Sequence, residues 1–389
     1  VAAAPAPTEL AAPAPATPGD RPAALPAPAA TAPATIPAPP DIPVKGYILT
    51  DQATGTVLAE READTRLEPA SLTKILAVYV VGHELAAGHI RLTDTVRVSE
   101  LAWKTPGSRM FIQPDLPVTV DQLLHGIAVQ SGNDASVALA EHTAGSSQAF
   151  VDLMNAHAAR LGMTGSHFSN PDGLPDPGNY TTARDMALLA RALIREFPDL
   201  HALFGLREYS YNGITQPNRN KLLYEEPGAD GVKTGYTEAA GYCLVGTVKR
   251  DDMRLISVVM GAASDGARTS ASRALLNYGF RFFETHRLYA AGQELQKVQV
   301  WLSGERELPV TVAEDLHVTV PRGQYAGLSA SMELTPRLVA PIAAGTPVGK
   351  VRVTLGDRLL LERDVVLGSE AKPGGFLRWI IDSTLMWVY

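Results

Sequence analysis

Pro69-Ala70-Ser71-Leu72-Thr73-Lys74-Ile75-Leu76-Ala77-Val78-Tyr79-Val80-Val81-Gly82-His83-Glu84-Leu85-Ala86-Ala87-Gly88 reads as one buried helix with a serine and a lysine at its start. Pro69 favours a turn or a first helical position, and Gly88 is a C-cap signal. Between Leu72 and Gly88 only Thr73, Lys74, His83 and Glu84 are strongly polar, so most of this helix must be covered by the rest of the chain. A lysine there is unusual. Burial disfavours the ammonium and can leave a neutral amine at working pH. Residues three apart share a helix face, so that amine can reach Ser71 Oγ and take its proton. Ser-x-x-Lys is a short pattern, and Ser369-Glu370-Ala371-Lys372 repeats it in a polar stretch with no apolar helix behind it. Taken alone, the four residues fit a surface pair equally well.

The 389 residues give room for two domains. Hydrophobic residues at 46% and charged residues at 19% describe a globular chain, and a net charge of −7 without a basic run argues against nucleic acid as the main partner. Cys243 is the one cysteine, so no intrachain disulfide forms; in Tyr242-Cys243-Leu244-Val245 it reads as a small buried hydrophobe. The chain begins at Val1 rather than Met, which suggests a leader removed or left out. It has no run of about 20 apolar residues to span a bilayer as a helix.

Residues 1–44 hold 16 Ala and 13 Pro, a composition that favours extended, polyproline-like chain over a packed core. They are expected to be a disordered tether. Tyr47–Asp51 and Thr56–Glu60 flank a Gln52-Ala53-Thr54-Gly55 turn and predict a hairpin. Helical patterns follow at 120–129, from Ala135 to Ala144, from Ser147 or its predecessor to Leu161, and from Thr182 onward. Strand character returns at Glu208–Tyr211 and Gly231–Gly235, then at 241–249 and 253–261 about a tight Arg250-Asp251-Asp252 turn; Ser270–Thr285 reads as an amphipathic helix. Strands, helices, then strands and a helix predict an antiparallel sheet covered by helices, with a helical subdomain inserted between its halves. This α+β domain is expected over 45–286.

From 287 to 368 short alternating runs with turns between them predict a small all-β domain, among them Val298–Trp301, Val310–Val312, His317–Val320, Met332–Leu334, Val351–Thr354 and Leu359–Leu361. The last segment, 369–389, ends in Phe376–Tyr389, where Arg378 and Asp382 fall together and leave a wide apolar face. Fourteen residues at 1.5 Å give about 21 Å, short of a hydrocarbon core of roughly 30 Å. We expect an amphipathic helix in the membrane interface, detached by Pro373-Gly374-Gly375.

Two stretches can meet the Ser71 helix. Ser131-Gly132-Asn133 sits at a helix–helix break and can point a hydroxyl and an amide into a cleft. Lys233-Thr234-Gly235 sits on a strand, where Gly235 leaves room for a substrate alongside and Lys233 supplies a cation. Together they make a serine acyl-transfer set. Ser210-Tyr211-Asn212 also matches Ser-x-Asn, but within a strand-like alternation.

Ser-x-x-Lys, Ser-x-Asn and Lys-Thr-Gly in this order, with the flanks Pro69–Lys74, Gln130–Ala135 and Asp230–Thr237, resemble the low-molecular-mass penicillin-binding proteins, the serine-type D-alanyl-D-alanine carboxypeptidases of the bacterial cell wall. The resemblance covers about 42–389 and implies a β-lactamase/transpeptidase-like catalytic fold. It implies that Ser71 attacks the D-Ala-D-Ala carbonyl, with neutral Lys74 as base and Ser131 as proton relay. Asn133 would hold a substrate amide, and the backbone N–H groups of Ser71 and Tyr236 the oxyanion. Lys233 would keep the site positive and Lys74 neutral, while Thr234, Arg219 and Arg268 fix the terminal carboxylate. It implies no cofactor and no metal, peptidoglycan stem peptides and β-lactams as ligands, and a periplasmic protein held peripherally on the outer face of the cytoplasmic membrane. Tyr236 stands where some relatives carry His, and the 101–110 segment is shorter than in similar members.

A muropeptide endopeptidase or a β-lactamase on the same fold, and a non-catalytic wall-binding protein, are the alternatives. Class A β-lactamases carry Ser-Asp-Asn where this chain has Gly132 in the middle. His83-Glu84 opens like a zinc-peptidase His-Glu-x-x-His, but the fifth position is Ala87.

Overall fold

Near-continuous apolar runs at both ends of the first unit form a five-stranded antiparallel sheet whose central strands are buried on both faces. The computed structural model describes residues 8–10 and 36–385. It divides into a unit from Pro37 to Arg281 and a second from Phe282 onward, to which Thr8–Leu10 also belongs. Residues 1–7 and 11–35 of the expected tether, and 386–389 of the C-terminal segment, lie outside the described residues.

In the first unit β1 (Gly46–Asp51) and β2 (Val57–Arg61) form the expected hairpin. After the helical insertion come β3 (Ala229–Thr237), β4 (Gly241–Arg250) and β5 (Met253–Ala262). Their spatial order is β2-β1-β5-β4-β3, so the last strand closes against the first and β3 is left at an edge. The end of the tether is fixed here: Ile42 is buried, Tyr278 Oη donates to the Pro37 carbonyl at 3.0 Å, and Arg61 pairs with Asp41 at 2.9 Å.

The buried helix is α1 (Thr73–Ala86), with every residue from Thr73 to Gly82 out of solvent. It contacts α3 (Asn133–Ala144), α4 (Ser147–Arg160) and α5 (Ala183–Glu196), while α2 (Val120–His125) packs on α3. Ser146 caps α4 and Thr182 caps α5 where the sequence signals helix starts, and a Thr119/Gln122 capping box opens α2. Ser131 ends the segment after α2 in a left-handed conformation, φ 61°.

The helix expected at 270–285 is α6, Asp265–Phe282. It starts earlier because Ser264 Oγ caps the Ala267 amide at 3.1 Å. It stops earlier because Phe283–Tyr289 pairs as a strand with Leu316–Pro321.

In the second unit these two strands are β6 (Phe283–Tyr289) and β9 (Leu316–Pro321), with β7 (Glu294–Trp301) and β8 (Glu307–Thr311) between them in sequence. After them come β10 (Leu328–Leu334), β11 (Leu338–Val339), β12 (Pro347–Leu355) and β13 (Arg358–Leu367). The larger sheet runs β10-β12-β13-β8-β7-β11, and Thr8–Leu10 pairs antiparallel with the free side of β10. Those three residues lie in a proline-free run of the tether, where amide N–H groups for a ladder exist.

α7 (Phe376–Leu385) departs from expectation at its start. Pro373-Gly374-Gly375 does not detach it: Gly374 N donates to the Leu302 carbonyl at 2.8 Å, and Gly304 N to the Lys372 carbonyl at 2.9 Å. Among the described residues no helix is long and apolar enough to cross a membrane.

Candidate active site

Ser71 lies in a single 3-10 turn, Ala70–Leu72, directly before α1. The turn is strained and tightly enclosed. Ala70 has φ 49°, a left-handed conformation costing on the order of 1–3 kcal/mol for a non-glycine residue. A Cβ at Gly173 would sit 1.9 Å from the Ala70 carbonyl oxygen, and one at Gly235 would sit 3.1 Å from the Pro69 oxygen and 3.3 Å from the Leu72 nitrogen. The two glycines therefore let a loop and the edge strand β3 close on the serine turn. The missing side chain of Gly235 faces that turn, where the sequence reading had placed substrate.

Lys74 is fully buried one turn on. Its Nζ lies 3.1 Å from Ser71 Oγ and 2.7 Å from Asn133 Oδ1, and also donates to the Asp172 carbonyl. Asn133 and Asp172 take two N–H bonds, so in the neutral amine the remaining position is a lone pair toward the serine hydroxyl. Burial pulls the Lys74 pKa down to about 8; the Asp172 and Asp134 carboxylates oppose this and the Arg219 charge assists it.

The second motif is joined to the first through that Lys74–Asn133 bond. Asn133 Nδ2 donates to the Pro106 carbonyl at 2.7 Å, and its backbone N to the Ser108 carbonyl at 2.7 Å. The buried Asp134 carboxylate accepts from the Met110 and Phe111 amides at 2.8 Å each and from Ile112 at 3.3 Å. Asn133 and Asp134 thus hold residues 106–112 as one wall of the cleft. Ser131 is buried at the break itself.

The third motif lies on β3. Lys233 and Thr234 are buried, and Lys233 Nζ donates to the Thr234 carbonyl at 3.0 Å. Burial first, then the charges of Lys74, Arg219 and Arg268, push the Lys233 pKa well down. Permanent positive charge here resides in the guanidinium groups. Arg219 is exposed and donates to Ser108 Oγ at 2.6 Å. Arg268 is buried; it donates to the carbonyls of Gly235 at 3.0 Å and Cys243 at 3.3 Å and pairs with Asp265. That guanidinium braces β3 from beneath. Tyr236 is half exposed, its ring 4.3 Å from that of Tyr242, which in turn lies under Arg268.

Sequence reasoning missed Asp172, Gly173 and Asp134. Asn170-Pro171-Asp172-Gly173 was a visible turn signal. Here the Gly173 amide donates to Asn170 Oδ1 at 2.7 Å and the Leu174 amide to Asp172 Oδ1 at 3.1 Å, which turns the Asp172 carbonyl onto Lys74. Ser210-Tyr211-Asn212 lies at a separate two-stranded hairpin.

A buried amine with its lone pair on a serine hydroxyl, with two guanidinium groups near the adjoining strand edge, is equipped for nucleophilic acyl transfer. Residues 33–264 match the D-alanyl-D-alanine carboxypeptidase family, and 283–372 the penicillin-binding protein 5 C-terminal domain. The chain is 43% identical to D-alanyl-D-alanine carboxypeptidase DacC of Escherichia coli, over 89% of each, and 42% identical to DacA of the same organism, over 88% of this chain and 87% of that one. The crystal structure of penicillin binding protein 5 from Haemophilus influenzae is similar with a TM-score of 0.79 and 37% identity, covering 86% of this chain and 99% of that one. The chain therefore belongs to the D-alanyl-D-alanine carboxypeptidase family of penicillin-binding proteins, as a serine-type enzyme with that family's β-rich second domain.

Proposed function

We propose that this chain removes the terminal D-Ala from peptidoglycan stem pentapeptides through an acyl-enzyme on Ser71, and that β-lactams acylate the same oxygen. The observation that carries the reading is the Lys74 amine, buried and 3.1 Å from Ser71 Oγ, with its other bonds already taken by Asn133 and Asp172. Ser71 Oγ attacks the carbonyl of the penultimate D-Ala as Lys74 Nζ takes its proton. The N–H groups of Ser71 and Tyr236 hold the oxyanion. Ser131 Oγ passes a proton to the departing D-Ala nitrogen, and Asn133 orients the peptide. Thr234 and Arg219 hold the terminal carboxylate, with Lys233 beneath, while Arg268 keeps β3 in place. Water then attacks the ester and frees Ser71.

The exposed Phe376, Trp379, Ile380 and Ile381 support a peripheral site of action, with Phe376–Tyr389 on the outer face of the cytoplasmic membrane and the catalytic unit in the periplasm. D-Ala release from a pentapeptide, run beside a cross-linked muropeptide dimer, tests the substrate. Release from the pentapeptide supports the reading. Cleavage of the dimer alone makes the chain an endopeptidase, and turnover of neither makes it a binder. Penicillin should add one acyl group on the Ser71 peptide, and none to a folded Ser71→Ala variant.

A further inference from the structure

α7 is held to the second unit by its polar side. Asp382 is 3% exposed, and its Oδ2 accepts from the Leu302 backbone N at 2.8 Å and from Arg378 Nε at 3.1 Å. Asp382 is the only buried charged side chain among the described residues of this unit. Its partner is equally unusual, since Leu302 has φ 58°, a left-handed conformation that a bulky residue avoids. That residue turns its N–H to Asp382 while its carbonyl takes the Gly374 N–H. Around the rest of the helix the apolar side chains stay bare: Phe376 is 75% exposed, Trp379 53%, Ile380 43% and Ile381 54%. The chain continues beyond it as Met386-Trp387-Val388-Tyr389, again apolar and aromatic.

We propose that Asp382 is a latch which turns α7 into a fixed platform, so that the β unit meets a lipid surface in one defined pose instead of trailing a mobile anchor. This rests on the membrane reading above and adds the orientation. Lipid is the occupant because the uncovered side chains are aliphatic and aromatic, and a tryptophan such as Trp379 suits a layer apolar on one side and wet on the other. A flexible anchor needs no buried carboxylate. A latch does, because the Leu302 N–H and the Asp382 charge satisfy each other only when the helix is seated.

The test uses the full chain with phosphatidylethanolamine/phosphatidylglycerol vesicles, a fluorophore on Lys297→Cys and an acceptor in the headgroups; Cys243 is buried and will not compete for label. Wild type should bind with a single narrow donor–bilayer distance. Asp382→Ala should still bind, with a broadened distance distribution and at least tenfold faster hydrogen exchange at the Leu302 amide. Asp382→Asn keeps an acceptor for that amide and should fall between them. A broad distance distribution in wild type, or an Asp382→Ala chain unchanged in both readouts, overturns the latch. Exchange at Leu302 is also read without vesicles. Loss of protection there in Asp382→Ala, in a chain that ignores vesicles, would uphold the latch and overturn the membrane reading. Self-association that buries Trp379 without lipid would replace lipid by a second copy and overturn the proposed occupant.

Discussion

Around the Ser71 turn the catalytic unit buries Lys74, Asp134, Asp172, Lys233 and Arg268, whereas among the described residues of the β unit Asp382 is the one buried charge. There Lys350 and Arg352 share the half-buried Glu362 at 2.7 Å each, and Arg352 reaches the exposed Glu333 at 3.3 Å. Exposed pairs of this kind contribute little, while buried charges matter through the cost of leaving one unpaired. A unit built around a helix that is apolar nearly all round can carry that cost. A small sandwich of strands with alternating faces has less core to spend and is organised to avoid it.

The contrast is sharpest at Lys74. Replacing it by Met keeps the length and removes the proposed base, so acylation by penicillin should fall on the order of 10³-fold. Stability should respond as well. The unfolded lysine holds its proton to its ordinary 10.5 and the folded one only to about 8. Below pH 8 the fold therefore carries the full penalty, and it loses that penalty as pH rises toward 10.5. The stability difference between wild type and Lys74→Met should shift by about 3 kcal/mol across that window, favouring wild type at the alkaline end. Urea unfolding at pH 7.5 and 10.5 measures it, and a flat difference would place Lys74 in an environment far more polar than its burial suggests.

Asp134→Asn sets the two units side by side. The amide must turn one N–H donor toward backbone amides that have no other acceptor in place, at a cost of about 2–4 kcal/mol. Glu362→Gln, at a surface carboxylate between two exposed cations, should leave the unfolding midpoint nearly where it is. A comparable loss at both positions would break the comparison.

Much of this was legible in the sequence. The wide apolar surface of α1, the hairpins and the Ser and Thr caps are local signals. Three short motifs, each weak, became a site because a lysine inside an apolar helix needs neighbours. What stayed illegible was carried by backbone. The Asp172 carbonyl on Lys74, the three amides on Asp134 and the approach of Gly173 and Gly235 to Ala70 are contacts between segments distant in sequence, in which side-chain identity says little. α6 was misplaced at its start for a local reason, the Ser264 cap, and at its finish for a distant one, the pairing of β6 with β9. The Pro-Gly-Gly before α7 read as a detachment because the turn after β7 that holds it, about seventy residues earlier, left no mark there.

The Lys74 value also sets a pH dependence. Only the neutral amine accepts the Ser71 proton, so the second-order rate of β-lactam acylation should rise about tenfold per pH unit below 8 and level off above it. Stopped-flow acylation between pH 6 and 9.5 measures the limb. A flat profile would show that Lys74 is not the group whose proton limits acylation.

The smallest expected effect is the most selective. Ala70 and Leu302 are both non-glycine residues in left-handed backbone, one in each unit. Glycine at either position relieves the steric cost but gives back unfolded-state entropy, so both variants should change stability by less than about 1 kcal/mol. Their effects on chemistry should differ. The Ala70 turn holds Ser71 between Gly173 and Gly235, and loosening it should slow acylation about three- to tenfold, equivalent to roughly 1 kcal/mol of lost positioning. Leu302 faces the C-terminal helix, and Leu302→Gly should acylate at the wild-type rate. Equal rates for Ala70→Gly and wild type would mean that the Gly173 and Gly235 walls hold Ser71 in place by themselves, and that the strain at Ala70 only follows from how closely they approach.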